Sequence, residues 1–232
     1  MQPAHRSDAM EDAMEPARAS TPDDDLVHPG ALVHEEQERG GVRCTATFSP
    51  DPGRTYRYTL GRTWDDRLPV ATFLMLNPST ADAYCDDATI RRCLGFARAW
   101  HAGGLLVVNL YALRATNPAE LLTHADPVGP ANDAVLTTVL TASLAGADTG
   151  TPLVAAWGAH RAAATRAHHV YALLRGRGLR PRCLGTTSAG HPRHPLRLSA
   201  TTPLLEYPGP ARDGPGRTPA DPPGASRREA SR

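Results

Sequence analysis

Four apolar runs along this chain each end abruptly on polar or small residues. Phe73-Leu74-Met75-Leu76 stops at Asn77-Pro78-Ser79-Thr80, and Leu105-Leu106-Val107-Val108 stops at Asn109. Leu153-Val154-Ala155-Ala156 runs into Trp157-Gly158, and Arg182-Cys183-Leu184 into Gly185-Thr186-Thr187. Short continuous apolar runs of this kind suit strands buried on both faces. In an open α/β sheet, ligands bind in the crevice outside the carboxyl ends of such strands. The pattern therefore predicts that chemistry gathers along one edge of a sheet.

The intervening segments supply the rest of the elements. Val42 to Phe48 alternates with period two, Ser49-Pro50-Asp51-Pro52-Gly53 carries turn residues, and Tyr56 to Leu60 alternates again. That is a hairpin, expected to be antiparallel at the sheet edge. Asp86-Asp87 precede Ile90, Cys93, Leu94 and Ala97, an apolar stripe at helical spacing behind an acidic cap, and Gly103-Gly104 follow its end near His101. After a loop over Tyr111 to Asp126 with a short helical turn, Gly129-Pro130 open a second helix carrying Val135, Leu136, Val139, Leu140 and Leu144. Ala163 to Arg177 reads as a third helix closed by Gly178. Strands alternating with helices call for right-handed crossovers. The expected fold is a three-layer α/β/α domain with a mostly parallel central sheet plus the N-terminal antiparallel hairpin.

Composition places boundaries on that domain. Of the 232 residues, 1–41 are rich in Pro, Asp, Glu, His and Arg, and 208–232 are almost entirely Pro, Gly, Arg, Ala and Asp. Neither stretch carries the apolar surface to offset roughly 1–2 kcal/mol per residue of backbone ordering entropy, so both read as disordered tails. The domain is expected over residues 42–207. With 25 basic and 24 acidic residues the formal charge is +1, which gives no global field toward nucleic acid or an anionic membrane. No apolar stretch approaches the roughly 18 residues of a membrane span, and the N-terminus lacks a signal-peptide core, so no membrane partner and a cytoplasmic location are expected. The oligomeric state is left open. Cys44, Cys85, Cys93 and Cys183 form no CxxC pair, and buried free thiols are the ordinary reading of each.

Candidate chemistry lies at the strand ends. Asn77 is a neutral amide followed by Pro78, which fixes the backbone, and by Ser79; it suits holding a water or reading a base edge, or simply closing the strand as an Asx-turn. Asp82, Asp86 and Asp87 suit a general base or a hard-metal site, and helix capping explains one of the last two equally well. Asn109, Tyr111 and Arg114 bring amide, aromatic and guanidinium together, as a planar ligand carrying phosphate would need, although Arg114 could instead pair with Glu120. The loop Gly185 to Leu196 holds two glycines, three hydroxyls, two prolines and two histidines, the composition of a rigidified binding loop. In it His194 could donate to a developing anion beside Arg193, and Cys183, His191 and His194 fall one ligand short of a zinc site. There is no Walker loop, GxGxxG, HExxH or GxSxG, so no cofactor is expected.

The segments MLNPSTAD, DDATIRR, VVNLYALRATNP, DPVGPAND, AAWGAH and CLGTTSAGHPRHPL, in this order over roughly Tyr58 to Leu198, resemble the bacterial domain-of-unknown-function (DUF) 1643 family. That resemblance implies no activity. A second likeness does. The Leu-Asn-Pro-Ser strand end resembles the Gly-Ile-Asn-Pro-Gly motif of mismatch-specific uracil/thymine-DNA glycosylases, and Asn-Leu…Arg-Ala-Thr resembles their Asn-Leu…Arg-Pro-Thr. His194-Pro195-Leu196 falls where that superfamily carries a His-Pro-Ser loop. Ser79 stands for the motif glycine and Leu196 for the loop serine, while Asn77 replaces the water-activating aspartate of the classical uracil-DNA enzymes.

The likeness implies a uracil-DNA-glycosylase-like domain that takes a nucleobase, nucleotide or nucleic acid and hydrolyses an N-glycosidic bond. Asn77 and His194 would then be catalytic, Asn77 positioning water and His194 meeting the departing base. Pro78, Ser79, Asn109, Arg114, Trp157 and Arg193 would bind substrate, with the two arginines on phosphates. Near-neutral charge argues against duplex DNA, whose non-specific affinity comes largely from phosphate neutralisation. The competing expectations are a non-catalytic nucleotide-binding or interaction module and a metal hydrolase built on Asp86 and Asp87.

Overall fold

A computed structural model of the protein describes residues 32–145 and 152–210. Most of both predicted tails lies outside the described residues, as does the side chain of Leu144. Among the described residues the strands are β1 (Val33–Arg39), β2 (Val42–Phe48), β3 (Arg57–Thr63), β4 (Val70–Met75), β5 (Gly104–Asn109), β6 (Leu153–Ala155), β7 (Arg182–Cys183) and β8 (Leu205–Glu206). The helices are α1 (Ala88–Ala99), α2 (Asn132–Ala145) and α3 (Ala163–Gly176). All these strands join one sheet in the order β1-β2-β3-β5-β4-β6-β7-β8.

The apolar runs form the parallel block β5-β4-β6-β7, with β4 paired to β5 on one side and β6 on the other. The chain leaves β4 in one direction to reach β5 and then crosses back past β4 to reach β6. Period-two alternation in β4 and β5 sorts the core into two clusters. Phe73, Met75, Leu105 and Val107 pack with Ile90, Cys93, Phe96 and Ala97 of α1. Leu74 and Val108 pack with Leu136 and Leu140 of α2 and with Ala167, Val170 and Leu174 of α3.

The sheet is mixed, not mostly parallel as the run pattern predicts: four of its seven ladders are antiparallel. The predicted antiparallel hairpin is β2–β3; β3 joins it to the parallel block by pairing with β5, Leu60 opposite Val107, and the edge itself is formed by β1. Two further strands were not legible. Residues 33–39, assigned to the N-terminal tail, form β1 and pair with β2 from Val33↔Phe48 to Arg39↔Val42. The sequence VHEEQER carries no apolar alternation because β1 is an edge strand held by backbone bonds and charge: Arg54 pairs with Glu35, Gln37 donates to the Ala83 carbonyl at 3.0 Å, and Arg39 meets Asp86 at 2.9 Å. At the other edge β8 pairs antiparallel with β7.

Candidate functional site

The pleat decides which strand-end side chains meet. In register Met75 lies beside Asn109, so residues 73, 75 and 77 of one strand and 107 and 109 of the next continue a single face, the one α1 covers. Beyond the last ladder pair the strands stay zipped: Leu110 N–H donates to Met75 O at 2.8 Å and Tyr111 N–H to Leu76 O at 2.9 Å. α1 starts here because Asp87 accepts from the Ile90 N–H at 2.8 Å, the acidic cap its position predicts. The loop after β7 folds over this end. Gly158, at φ +76°, donates to the Pro192 carbonyl at 3.0 Å, and Arg193 N–H donates to Gly185 O at 2.9 Å. A left-handed φ at 158 favours glycine.

These elements enclose a cavity of about 160 Å3, lined among others by Arg57, Asn77, Ser79, Asp87, Asn109, Thr116 and His194. Of the sequence-predicted residues it therefore brings together Asn77, Ser79, Asn109 and His194. Pro78 is not among the lining residues, but its carbonyl accepts from Ala115 N–H at 3.0 Å. Arg114 lies over the Phe48 ring and donates to the Arg54 carbonyl at 3.2 Å; it does not pair with Glu120. Arg193 is exposed and does not line the cavity. Trp157 is 2 % exposed and packs edge-on against Tyr207 within the α2–α3 core, away from this face.

The Asn77 amide nitrogen is fully engaged. Nδ2 donates to Pro78 O at 2.8 Å and to Ala115 O at 2.7 Å, so both amide hydrogens clasp the β4 end to the loop after β5. With two acceptors facing it the amide orientation is unambiguous, and Oδ1 is left as the acceptor.

Asn109 is the opposite case. Its residue is 1 % exposed, and neither Nδ2 nor Oδ1 has a partner. Burying an amide without its hydrogen bonds costs about 1–3 kcal/mol. Nearly all buried polar groups in native proteins are satisfied, so an orphaned donor and acceptor lining a cavity mark a place for an occupant with both.

His194 is exposed as a residue, yet its imidazole is held below the ordinary histidine range, first by desolvation, with the Asp87 carboxylate opposing. Leu196 N–H points at Nδ1 at 3.4 Å, so the neutral ring carries its proton on Nε2.

Arg57 was missed by sequence reading, where it belonged to a hairpin at the sheet edge. It is 2 % exposed and lines the cavity, one nitrogen donating to the Ala81 carbonyl while Nε has no partner. Desolvation pushes it down to about 10, Asp87 raising it and Arg114 and Arg62 lowering it further. At roughly 1.4 kcal/mol per pH unit, keeping it charged at neutral pH costs on the order of 3 kcal/mol. A Tyr-Arg-Tyr alternation in a half-exposed hairpin carries no signal that its arginine turns inward.

A larger groove of about 600 Å3 lies at the opposite end of the parallel block, lined by Leu68, Pro69, Val70, Leu105 and Leu153 among others. Among the described residues, none of the orphaned buried polar atoms belongs to that groove. Among the described residues no three His, Cys, Asp or Glu side chains come together to hold a metal. Asp86 is engaged by Arg62 and Arg39, Asp87 caps α1, and Cys183 is buried with its thiol raised by desolvation. No helix among the described residues is long and apolar enough to cross a membrane.

The described residues thus form a mixed α/β domain with a polar cavity at the carboxyl ends of β4 and β5. The chain belongs to a family of proteins of unknown function, DUF1643, whose model matches residues 57–196. That span runs from Arg57 to two residues past His194 and so contains every cavity-lining residue named above. No curated protein and no solved structure matches the chain.

Proposed function

We propose that the cavity binds a nucleobase, free or within a nucleotide, in a three-layer domain of uracil-DNA-glycosylase-like architecture. The observation that carries this reading is Asn109, whose buried and unpartnered amide offers one donor and one acceptor side by side, the complement of a base edge. Pockets for drug-sized ligands run roughly 300–1,000 Å3, so a cavity of about 160 Å3 suits a single ring better than a whole dinucleotide. Ser79 and Thr116 add hydroxyls to the lining.

If the site is catalytic, the reaction is hydrolysis of an N-glycosidic bond through an oxocarbenium-like transition state. Asn109 orients the base. Asn77 Oδ1 accepts a hydrogen bond from the attacking water; an amide is too weak a base to remove its proton, and its contribution is position. Asp87, a carboxylate lining the same cavity, is the group able to accept that proton. The Nε2–H of neutral His194 donates to the base as negative charge develops on it. Arg114 and Arg193, outside the cavity lining, are left for phosphates flanking the base.

The test is release of free base. Purified protein is incubated with uracil-containing, mispaired and damaged-base oligonucleotides, single- and double-stranded, and with nucleosides and nucleotides. Base released by the wild type and lost in Asn109→Leu supports the enzyme. Binding of a base without release supports a non-catalytic nucleotide-binding module, and absence of both removes the nucleobase reading.

A further inference from the structure

The ion pairs of the described residues leave Arg57 out: no carboxylate stands within 4.0 Å of its guanidinium, although Arg39, Arg54, Arg62 and Arg166, among others, each have one. A guanidinium presents five donors in a rigid fork, and Arg57 engages one nitrogen, on Ala81 O. Its neighbourhood adds like charge, because Arg62 and Arg114 both act on it. Arg62 is neutralised by Asp86, whereas Arg114 has no ion pair among the described residues and an orphaned Nε of its own. Asp87 is the carboxylate with the largest effect on Arg57, and one of its oxygens also caps the α1 N-terminus, whose partial positive charge of about half a unit offsets it. A buried cation so poorly compensated is costly in an otherwise stable fold. The cavity it lines is an opening through which a partner could reach it.

We propose that Arg57 is an anion-binding residue of this site, so that the ligand carries an anionic oxygen in addition to the donor–acceptor edge read by Asn109. The inference rests on the nucleobase reading above for the second half of that ligand and on Arg57 alone for the first. The shared chemistry is an oxyanion on or next to a base: a carboxylate or ionised ring oxygen, or the phosphate of a nucleotide. Arg57 grips it by charge-assisted hydrogen bonds from its unused donors, the geometry guanidinium groups give to carboxylate and phosphate.

The experiment is calorimetric titration of the full chain with uracil, orotate, uridine monophosphate and inorganic phosphate. Orotate keeps the ring edge of uracil and adds a carboxylate; the monophosphate puts the anion on a separate group. The wild type is expected to bind orotate or the monophosphate about 10- to 100-fold more tightly than uracil, the range of a charge-assisted hydrogen bond. Which of the two gains tells whether the anion sits on the ring or on a phosphate. Arg57→Gln should erase the preference while leaving uracil within about threefold, and Arg57→Lys should keep part of it. Thermal melting of each variant checks that it folds, and if Arg57→Gln does not, Arg57→Lys decides: a preference undiminished in it overturns the role of the Arg57 fork. Equal affinity for all three ring compounds, or a preference that survives in Arg57→Gln, overturns the anion role and leaves the nucleobase reading standing. Arg57-dependent binding of phosphate without any binding of uracil upholds the anion site and removes the nucleobase reading. Binding of none of the four removes both.

Discussion

Two arginines five positions apart on β3 are buried to the same degree and live in opposite circumstances. Arg62, 1 % exposed, meets Asp86 Oδ1 through Nε at 2.9 Å and Nη2 at 2.8 Å, and donates to the carbonyls of Gly61 at 2.7 Å and Asp82 at 2.5 Å. Arg57, 2 % exposed, has the Ala81 carbonyl and no ion pair among the described residues. The asparagines repeat the contrast. Asn132, fully buried, donates through Nδ2 to Asn109 O at 3.2 Å and Leu110 O at 3.0 Å and so pins the start of α2 to the end of β5, with only its Oδ1 left without a partner. The Asn109 side chain holds nothing. Arg62 and Asn132, with partners inside the protein, hold the fold. Arg57 and Asn109, short of partners, line one cavity together, which is how a site prepared for a ligand differs from a clamp.

Substitutions can break that distinction, and the largest effect is expected at the clamp. Arg62→Met strands Asp86 and the carbonyls around it and should cost about 3–5 kcal/mol in urea denaturation, whereas Arg57→Met should cost less than about 1 kcal/mol or stabilise. Equal losses at the two positions would show that Arg57 is structural. Asn77 sits between the two classes. Removing its amide in Asn77→Ala unties Pro78 and Ala115 and should cost about 1–3 kcal/mol, so it is not the stability-neutral change that a pure water-positioning role implies. Asn77→Asp, attractive on paper as a real base, points a carboxylate at two carbonyl oxygens and should be less stable still; an Asn77→Asp variant that melts at the wild-type temperature would refute this.

Asn109→Leu sharpens the comparison in the other direction. Relieving an unsatisfied buried amide should leave stability unchanged or raise it by about 1 kcal/mol while ligand binding disappears. A loss of more than that, with binding intact, would return Asn109 to the fold. The smallest effect concerns pH. The folded protein holds His194 below its ordinary value of 6.5, so it favours the neutral ring; that contribution is whole above 6.5 and is lost as pH falls toward the depressed value. Wild type and His194→Gln should therefore melt with a steady offset at neutral pH and converge or cross as the solution is acidified below about pH 6. An offset constant throughout would show that His194 does not titrate in this way.

The elements legible in the sequence are those whose cause is local. Apolar runs ending at Asn77, Asn109, Trp157 and Gly185 became the parallel block, and Asp87 three residues before Ile90 became the α1 cap, because burial period and capping act within a few residues of chain. From the same pattern Asn77, Asn109 and His194 could be placed at strand ends, and they share one cavity. Tertiary structure decided the rest. β1 reads as a solvated polar stretch until β2 supplies its backbone partners, and the antiparallel share of the sheet follows from β3 choosing β5. Trp157 occupies an equivalent strand end, yet the pleat turns it to the α2–α3 side, where Tyr207 covers it. Nothing in the alternation of its hairpin set Arg57 apart. Whether a guanidinium is solvated, paired or left waiting depends on what stands across from it in space, and the groups that act on Arg57 include Ala81, Asp87 and Arg114, between 24 and 57 residues further along the chain.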